Sequence, residues 1–186
     1  GQRVLEGVVG VVDRAQHPVA VRMELTLVRL HEAAKRVIVT LADGSREKID
    51  IATYRGNSLA EDLHNRDFTV NAMAVDLRTM SLLDPLSGAA DLRVKKLRAC
   101  SDSAMSDDPI RILRGIRQAA AFGFQIEPET RKMMKSAAPL LGQVSSERVR
   151  DELFKILEGS QASASVRALD MLGVLHHVLP ELEAMK

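Results

Sequence analysis

The chain is predicted to be α+β, with its strands in the first half and its helices in the second. Three observations carry this. Runs rich in β-branched residues, paired around turn signals, are confined to the residues before about Asp84. Beyond Leu97 the apolar spacing changes from two to 3.6. Strands followed by helices, rather than alternating with them, mark an α+β chain or two segregated subdomains. The boundary is expected between residues 85 and 100, dividing the chain into 1–88 and 89–186.

In chain order, residues 1–30 satisfy two patterns, because Val4, Leu5, Val8, Val9, Val11 and Val12 suit both a short helix and a buried strand. From Lys35 the sequence RVIVTLADGSREKIDIATY places strands near 36–42 and 46–54 around the hairpin signal Asp43-Gly44. SLAEDLHNRDF reads as a helical turn and a polar loop. AMAVDLRTMSLLD reads as a second strand pair, turning near Arg78 to Met80. Asp107 or Asp108 is expected to cap a helix with Pro109 at its first position; Ile110, Leu113, Ile116 and Ala120 form its stripe and Gly123 ends it. A second helix is expected from Pro128 to Ala138, stopping before Pro139. A third starts at the Ser145-Ser146 cap with Val149, Leu153, Ile156 and Leu157 on one face, and a fourth covers 161–172.

Composition limits the functional classes. The 186 residues are 46% hydrophobic and 27% charged, which suits a packed core. Aromatic residues are only 3%, with no Trp and Tyr54 the single Tyr, so stacking platforms for single-stranded nucleic acid have little to be built from. A net charge of +1 neither demands nor excludes a polyanionic partner. Cys100 is the only cysteine, which rules out an internal disulfide and a cysteine-based zinc site and fits a reducing, cytoplasmic compartment. No apolar run is long enough to span a membrane.

Two segments concentrate chemistry. Arg66 and Asp67 are adjacent and opposite in charge: an Arg there can grip a phosphate while the carboxylate accepts from a sugar hydroxyl, and a structural salt bridge uses the same pair. Asp108, Arg111 and Arg114 follow at three-residue spacing, near one helix face. A carboxylate beside a guanidinium offers an acceptor and a fork of donors, which can read a base edge; a capping acid with surface ion pairs is the plainer account. Glu147, Arg148, Asp151 and Glu152 read as capping and salt bridges. His176 and His177 are adjacent and so unsuited to joint metal ligation. Arg131, Lys132 and Lys135, with Lys95, Lys96 and Arg98, form two small basic clusters that suit RNA phosphates or solvated helix faces equally.

From Ile49 to Leu182 the order and wording of these segments resemble the class II tRNA nucleotidyltransferase and bacterial poly(A) polymerase family. HNRDFTVNAMAVDL is similar to the family's ribose-selecting motif, DPLSGAADL to its hinge, DDPIRILRGIRQ to its nucleotide-reading motif and SSERVRDEL to the motif that braces it. The resemblance implies a partial nucleotidyltransferase head followed by an all-helical neck. Arg66 and Asp67 would bind the triphosphate and ribose of the incoming nucleotide. Asp108 and Arg111 would pair with C or A, Arg114 would support the base, and Glu147 and Arg148 would hold the reading helix. Asp84, Gly88 and Asp91 would act as a spring between head and neck. Three positions depart from the pattern: Asn65 stands for its first Arg, Ala89 for the second hinge glycine and Asp107 for a Glu.

The family's Asp-x-Asp pair, which holds two Mg²⁺ for in-line phosphoryl transfer, has no counterpart anywhere in the chain. Metal ligands are therefore expected to be absent, with Asp50 a weak auxiliary acid. The expectation is the end of a catalytic head plus the neck of a longer enzyme, inactive alone and prone to self-association through the truncated head. In the complete enzyme the implied partners are ATP, CTP, Mg²⁺ and an RNA, most naturally the tRNA 3′ end. Poly(A) addition and a non-catalytic nucleotide- or RNA-binding module are the alternatives.

Overall fold

The computed structural model describes residues 3–8, 22–31, 34–40, 45–53, 56–76 and 79–185. The chain forms two compact units, Gly1–Arg55 and Gly56–Lys186. The first is a four-stranded antiparallel meander of β1 (Arg3–Val8), β2 (Arg22–His31), β3 (Ala34–Thr40) and β4 (Arg46–Ala52), hydrogen-bonded in sequence order. The valine-rich start, which suits helix or strand by pattern, is thus strand over Arg3–Val8. Pairing Thr40 with Arg46 and Ala34 with Ala52 sets the register of the predicted hairpin, whose turn at Asp43-Gly44 lies outside the described residues. Asp50 sits on β4 opposite Arg36. The ladder between β2 and β3 shifts register between Arg29 and His31, as an inserted residue requires.

The second unit starts with α1 (Leu59–His64), capped by the Ser58 hydroxyl, which accepts from Glu61 N–H. A 3₁₀ turn over Thr69–Asn71 leads into the short hairpin of β5 (Ala74–Asp76) and β6 (Ser81–Leu83). Then come α2 (Gly88–Arg93), β7 (Lys96–Leu97), α3 (Ala104–Asp107), α4 (Ile110–Phe122), β8 (Gln125–Ile126), α5 (Pro128–Ala137), α6 (Ser146–Leu157), α7 (Ala162–Met171) and α8 (Leu175–Val178). β7 and β8 pair in parallel over two residues, too short a ladder to leave a sequence signature.

Helix α4 is the axis of the unit. Its Ile112 and Leu113 are fully buried and Ile110 and Ile116 nearly so, among Phe68, Leu97, Met134, Ile156 and Leu169. Gly123, at φ 67°, closes it in the left-handed conformation that favours glycine. Its start differs from expectation. Pro109 occupies the cap position and no side chain caps the helix, because the Asp108 carboxylate is turned to another partner; the Asp108 and Pro109 carbonyls take the Arg111 and Ile112 N–H groups. Ser145 precedes α6 likewise without a capping bond from its hydroxyl. Pro139 does not stop the chain's winding: after α5 a 3₁₀ turn runs over Ala138–Gln143, which a proline near its start permits. On α6, Leu153 and Ile156 are buried as expected, but Leu157 is exposed and Glu152 takes the buried place on the other edge of the stripe.

Candidate functional site

The segment Asn65–Asn71 is held between two elements. On one side it pairs with the strand-like stretch after β7: Phe68 bridges Ala99, Thr69 N–H donates to the Arg98 carbonyl and Cys100 N–H to the Asp67 carbonyl. On the other side it meets the 111/115/118 face of α4, one residue per turn. Arg111 donates from Nη2 to the Asn65 carbonyl (2.7 Å) and from Nη1 to the carbonyls of Arg66 and Ala104 (both 3.2 Å). The Phe68 ring lies so close to Gly115 that a Cβ there would stand 2.7 Å from its Cζ and collide with the Met134 methyl as well. Glycine is what lets ring and helix touch.

Arg66 is half exposed and its ion pair is with Asp62 rather than with the adjacent Asp67 that the sequence suggests: Nη2 donates to Asp62 Oδ2 at 3.1 Å and Nη1 to the Asn71 carbonyl at 3.0 Å. The Asp67 carboxylate is partly buried. Its Oδ1 accepts from Phe68 N–H (2.8 Å) and Asn71 Nδ2 (3.0 Å), and no hydrogen bond to Oδ2 is made among the described residues. Cys100, beside this carboxylate, is inert as a nucleophile: burial and the Asp67 charge push its thiol up to about 12 against the pull of Arg111, Arg98 and Arg66.

At the start of α4, Asp108 is gripped from α6. A single guanidinium nitrogen, Arg148 Nη2, lies 3.0 Å from Oδ1 and 2.9 Å from Oδ2. One edge of the carboxylate is thereby fixed while the side chain keeps 25% of its surface exposed. Asp107 accepts from the Ser103 hydroxyl at 2.7 Å. Arg114 and Arg117 reach Glu152 of α6 at 3.6 and 3.0 Å, and Lys155 binds the same acid at 3.0 Å. Burial raises the Glu152 carboxyl, but Lys155 and Arg117 outweigh it and hold the group below its ordinary value. Glu147, expected to brace the helix, is exposed on the first turn of α6. Bracing falls to Arg148 and Glu152, and Glu152 is the functional candidate that sequence reasoning passed over as an ordinary surface pair.

The proposed spring residues do come together. Asp84 accepts from the N–H groups of Gly88 (2.6 Å) and Ala89 (3.0 Å) at the start of α2. Gly88 abuts the Thr69 carbonyl, where a Cβ would overlap it. Asp91 is buried and takes the Thr69 hydroxyl (2.7 Å), Arg98 Nε (2.8 Å) and Lys96 Nζ (2.9 Å). Burial raises its carboxyl, yet these three donors together hold it below its ordinary range. Lys96 and Arg98 are thus spent on Asp91, as Lys132 is on Glu129, and Arg131 donates to the Ile126 carbonyl. Of the two basic clusters, Lys96 and Arg98 are half-buried against Asp91, whereas Lys95, Arg131, Lys132 and Lys135 are exposed. The His176 and His177 ring centroids lie 3.7 Å apart with their planes tilted by 42°. Among the described residues no group of three His, Cys, Asp or Glu is placed to hold a metal ion, and no helix is long and apolar enough to cross a membrane.

What this arrangement can do is present two carboxylates, Asp67 and Asp108, each anchored on one edge only. One stands where a base edge could be read and the other where a hydroxyl could. Comparisons with known proteins agree with the motif order. Residues 8–98 match the family model described as "Poly A polymerase head domain", and residues 123–186 match "Probable RNA and SrmB- binding site of polymerase A". A relative named CC-adding tRNA nucleotidyltransferase, from Geobacter sulfurreducens, is 44% identical over 70% of this chain and 30% of its own length. The Thermotoga maritima CCA-adding enzyme, solved in complex with tRNA, is 36% identical with a TM-score of 0.72 over 83% of this chain and 38% of that one. A CCA-adding enzyme solved with CTP is 34% identical with a TM-score of 0.73, over 83% and 37%. The chain spans about a third of the length of these relatives. With head and RNA-binding models matched in family order over one continuous set of motifs, the chain belongs to the class II tRNA nucleotidyltransferase and bacterial poly(A) polymerase family.

Proposed function

We propose that this chain carries the nucleotide-recognition part of a cytoplasmic, template-independent RNA nucleotidyltransferase that transfers CMP or AMP from CTP or ATP to the 3′ end of a tRNA. Residues 1–88 end its catalytic head and 89–186 form its neck. Asp108, immobilised by Arg148, accepts from the exocyclic amine that C and A share and that U lacks at the corresponding position, while Arg111 donates to ring acceptors. Arg114, tied to Glu152, supports the base. Asp67 accepts from the ribose hydroxyl and Arg66 leaves Asp62 to meet the triphosphate. Asp84, Gly88 and Asp91 tie the ribose segment to the helix of the hinge motif. The observation that supports this most is the carboxylate of Asp108: a charged group at a helix start, not capping it, and fixed from a second helix with one face open.

Family members use a divalent metal. The described residues do not fit one, and the chain contains no Asp-x-Asp. A second reading, a binding module without chemistry of its own, would use the same carboxylates of Asp67 and Asp108. Poly(A) addition remains within the family.

Both readings require nucleotide selection, which calorimetric titration of the chain with each of the four ribonucleoside triphosphates tests. CTP and ATP should bind more tightly than GTP and UTP. Asp108→Ala should weaken CTP and ATP by about 1–3 kcal/mol, the scale of a lost base contact, and leave GTP and UTP nearly unchanged. Equal affinity of the folded wild type and variant for all four would reduce Asp108 to an ion-pair partner of Arg148.

A further inference from the structure

Asp67 can discriminate a sugar hydroxyl only if its free oxygen is aimed, and its terminal torsion is broad and poorly self-determined. Its aim comes from donors. Phe68 N–H fixes one side of Oδ1 at 2.8 Å and Asn71 Nδ2 the other at 3.0 Å. Asn71 has the same problem one bond further out, since its amide also turns freely. Its second N–H goes to Gln118 Oε1 on α4, at 3.1 Å. The two hydrogens of a planar amide diverge at a fixed angle, so both acceptors are satisfied in one orientation only. A Gln118 turned to present its own NH₂ would set donor against donor, which selects its oxygen as the partner.

We infer that Gln118 is a positioning residue for sugar discrimination: it locks Asn71, and through Asn71 the open edge of Asp67. The inference rests on the nucleotide-recognition reading above and adds to it a residue that touches no nucleotide. Gln118 stands seven residues after Arg111 and four after Arg114, on the helix whose Ile112, Leu113 and Ile116 are anchored in the core. Base reading and sugar reading are thereby referred to one rigid element. A nucleotide seated by its base on α4 meets Asp67 at a fixed offset.

A purely structural tie of the Thr69–Asn71 turn to α4 would weaken every nucleotide alike, so the test compares ratios. The 186-residue chain is titrated calorimetrically with CTP, 2′-deoxy-CTP and UTP, with thermal melting as the control for folding. Wild type should prefer CTP to 2′-deoxy-CTP. Gln118→Leu should lose about tenfold of that preference, the scale of a disturbed hydrogen bond to a charged group, while its preference for CTP over UTP stays. Gln118→Glu keeps the acceptor and should keep the sugar preference. Gln118→Lys, which presents only donors and serves if the Leu variant does not fold, should lose it. An unchanged ratio in folded Leu or Lys variants, or an equal loss for all three nucleotides, overturns the inference. Wild type that separates bases but not sugars overturns it alone, whereas wild type that binds none of the three removes the proposed function as well.

Discussion

Asp91 and Asp108 are both acids set among cations, on helices or at helix starts of the same unit, and they differ in what is left over. Asp91 has a side chain 4% exposed and three donors from three residues, two of them cationic. Asp108 has a side chain 25% exposed and one partner, itself half in solvent. A carboxylate offers about four acceptor sites. Asp91 uses them inward, so it can stabilise but cannot read a ligand. Asp108 commits one edge and keeps the other. The difference separates an acid whose motif resembles a hinge from one whose motif resembles a nucleotide reader.

The largest effect that would break this comparison is on stability. Asp91→Asn keeps the shape but leaves Lys96 and Arg98 without their counter-charge at a buried position, and should cost about 3 kcal/mol of unfolding free energy, read by urea denaturation. Both cations are a third or more exposed, which keeps the cost from being larger. A loss below about 1 kcal/mol would mean that solvent already shares the site and that Asp91 is no more a structural acid than Asp108.

Glu152 lies between the two, buried like Asp91 but facing cations on α4, and pH sharpens its place. Its folded value is depressed, so its contribution is present above its unfolded value, near the ordinary 4.5, and is lost as pH falls through the lower folded value. Glu152→Gln should cost about 1–2 kcal/mol at pH 7, and the gap between variant and wild type should close as the pH drops from about 5 towards 3. A gap that persists unchanged at pH 3 would assign the loss to packing rather than to charge.

Glu152 also shows where sequence reading stops. Along α6, the half-buried Val149 and the buried Leu153 and Ile156 define the apolar stripe, and Leu157 and Glu152 flank it on opposite edges. Hydrophobicity points to Leu157; what decides is that Arg114 and Arg117 of α4, 38 and 35 residues before Glu152, face the other edge, a fact of packing between helices. Helix α4 itself was legible because its signals are local: a proline at its start, glycine at its end and a 3.6 period between. The meander over Ala34–Ala52 was legible for the same reason. Asp108 was legible as a motif acid but not as a non-capping one, because cap position and side-chain direction are set by Arg148. Gln118 left no signal apart from its spacing from Arg111 and Arg114, which acquires meaning only when Asn71 is brought opposite.

The smallest effect concerns the anchor of Asp108, and it sharpens the contrast most directly. Arg148 touches Asp108 through one nitrogen at the protein surface, a geometry worth at most about 1 kcal/mol to folding and screened by salt. Arg148→Met, which keeps an apolar stem and removes the charge, should therefore change stability by less than about 1 kcal/mol, and that difference should vanish in about 1 M salt, where screening acts within a few ångström. Its effect on CTP binding should be several-fold at low salt, because a carboxylate released from its fixed edge must be re-ordered by the nucleotide. Asp91→Asn should show the reverse pattern: a large stability loss that survives salt. If Arg148→Met destabilised the fold as much as Asp91→Asn and left CTP binding untouched, Asp108 would be a second structural acid, and the open edge that distinguishes the two would have no reader's role.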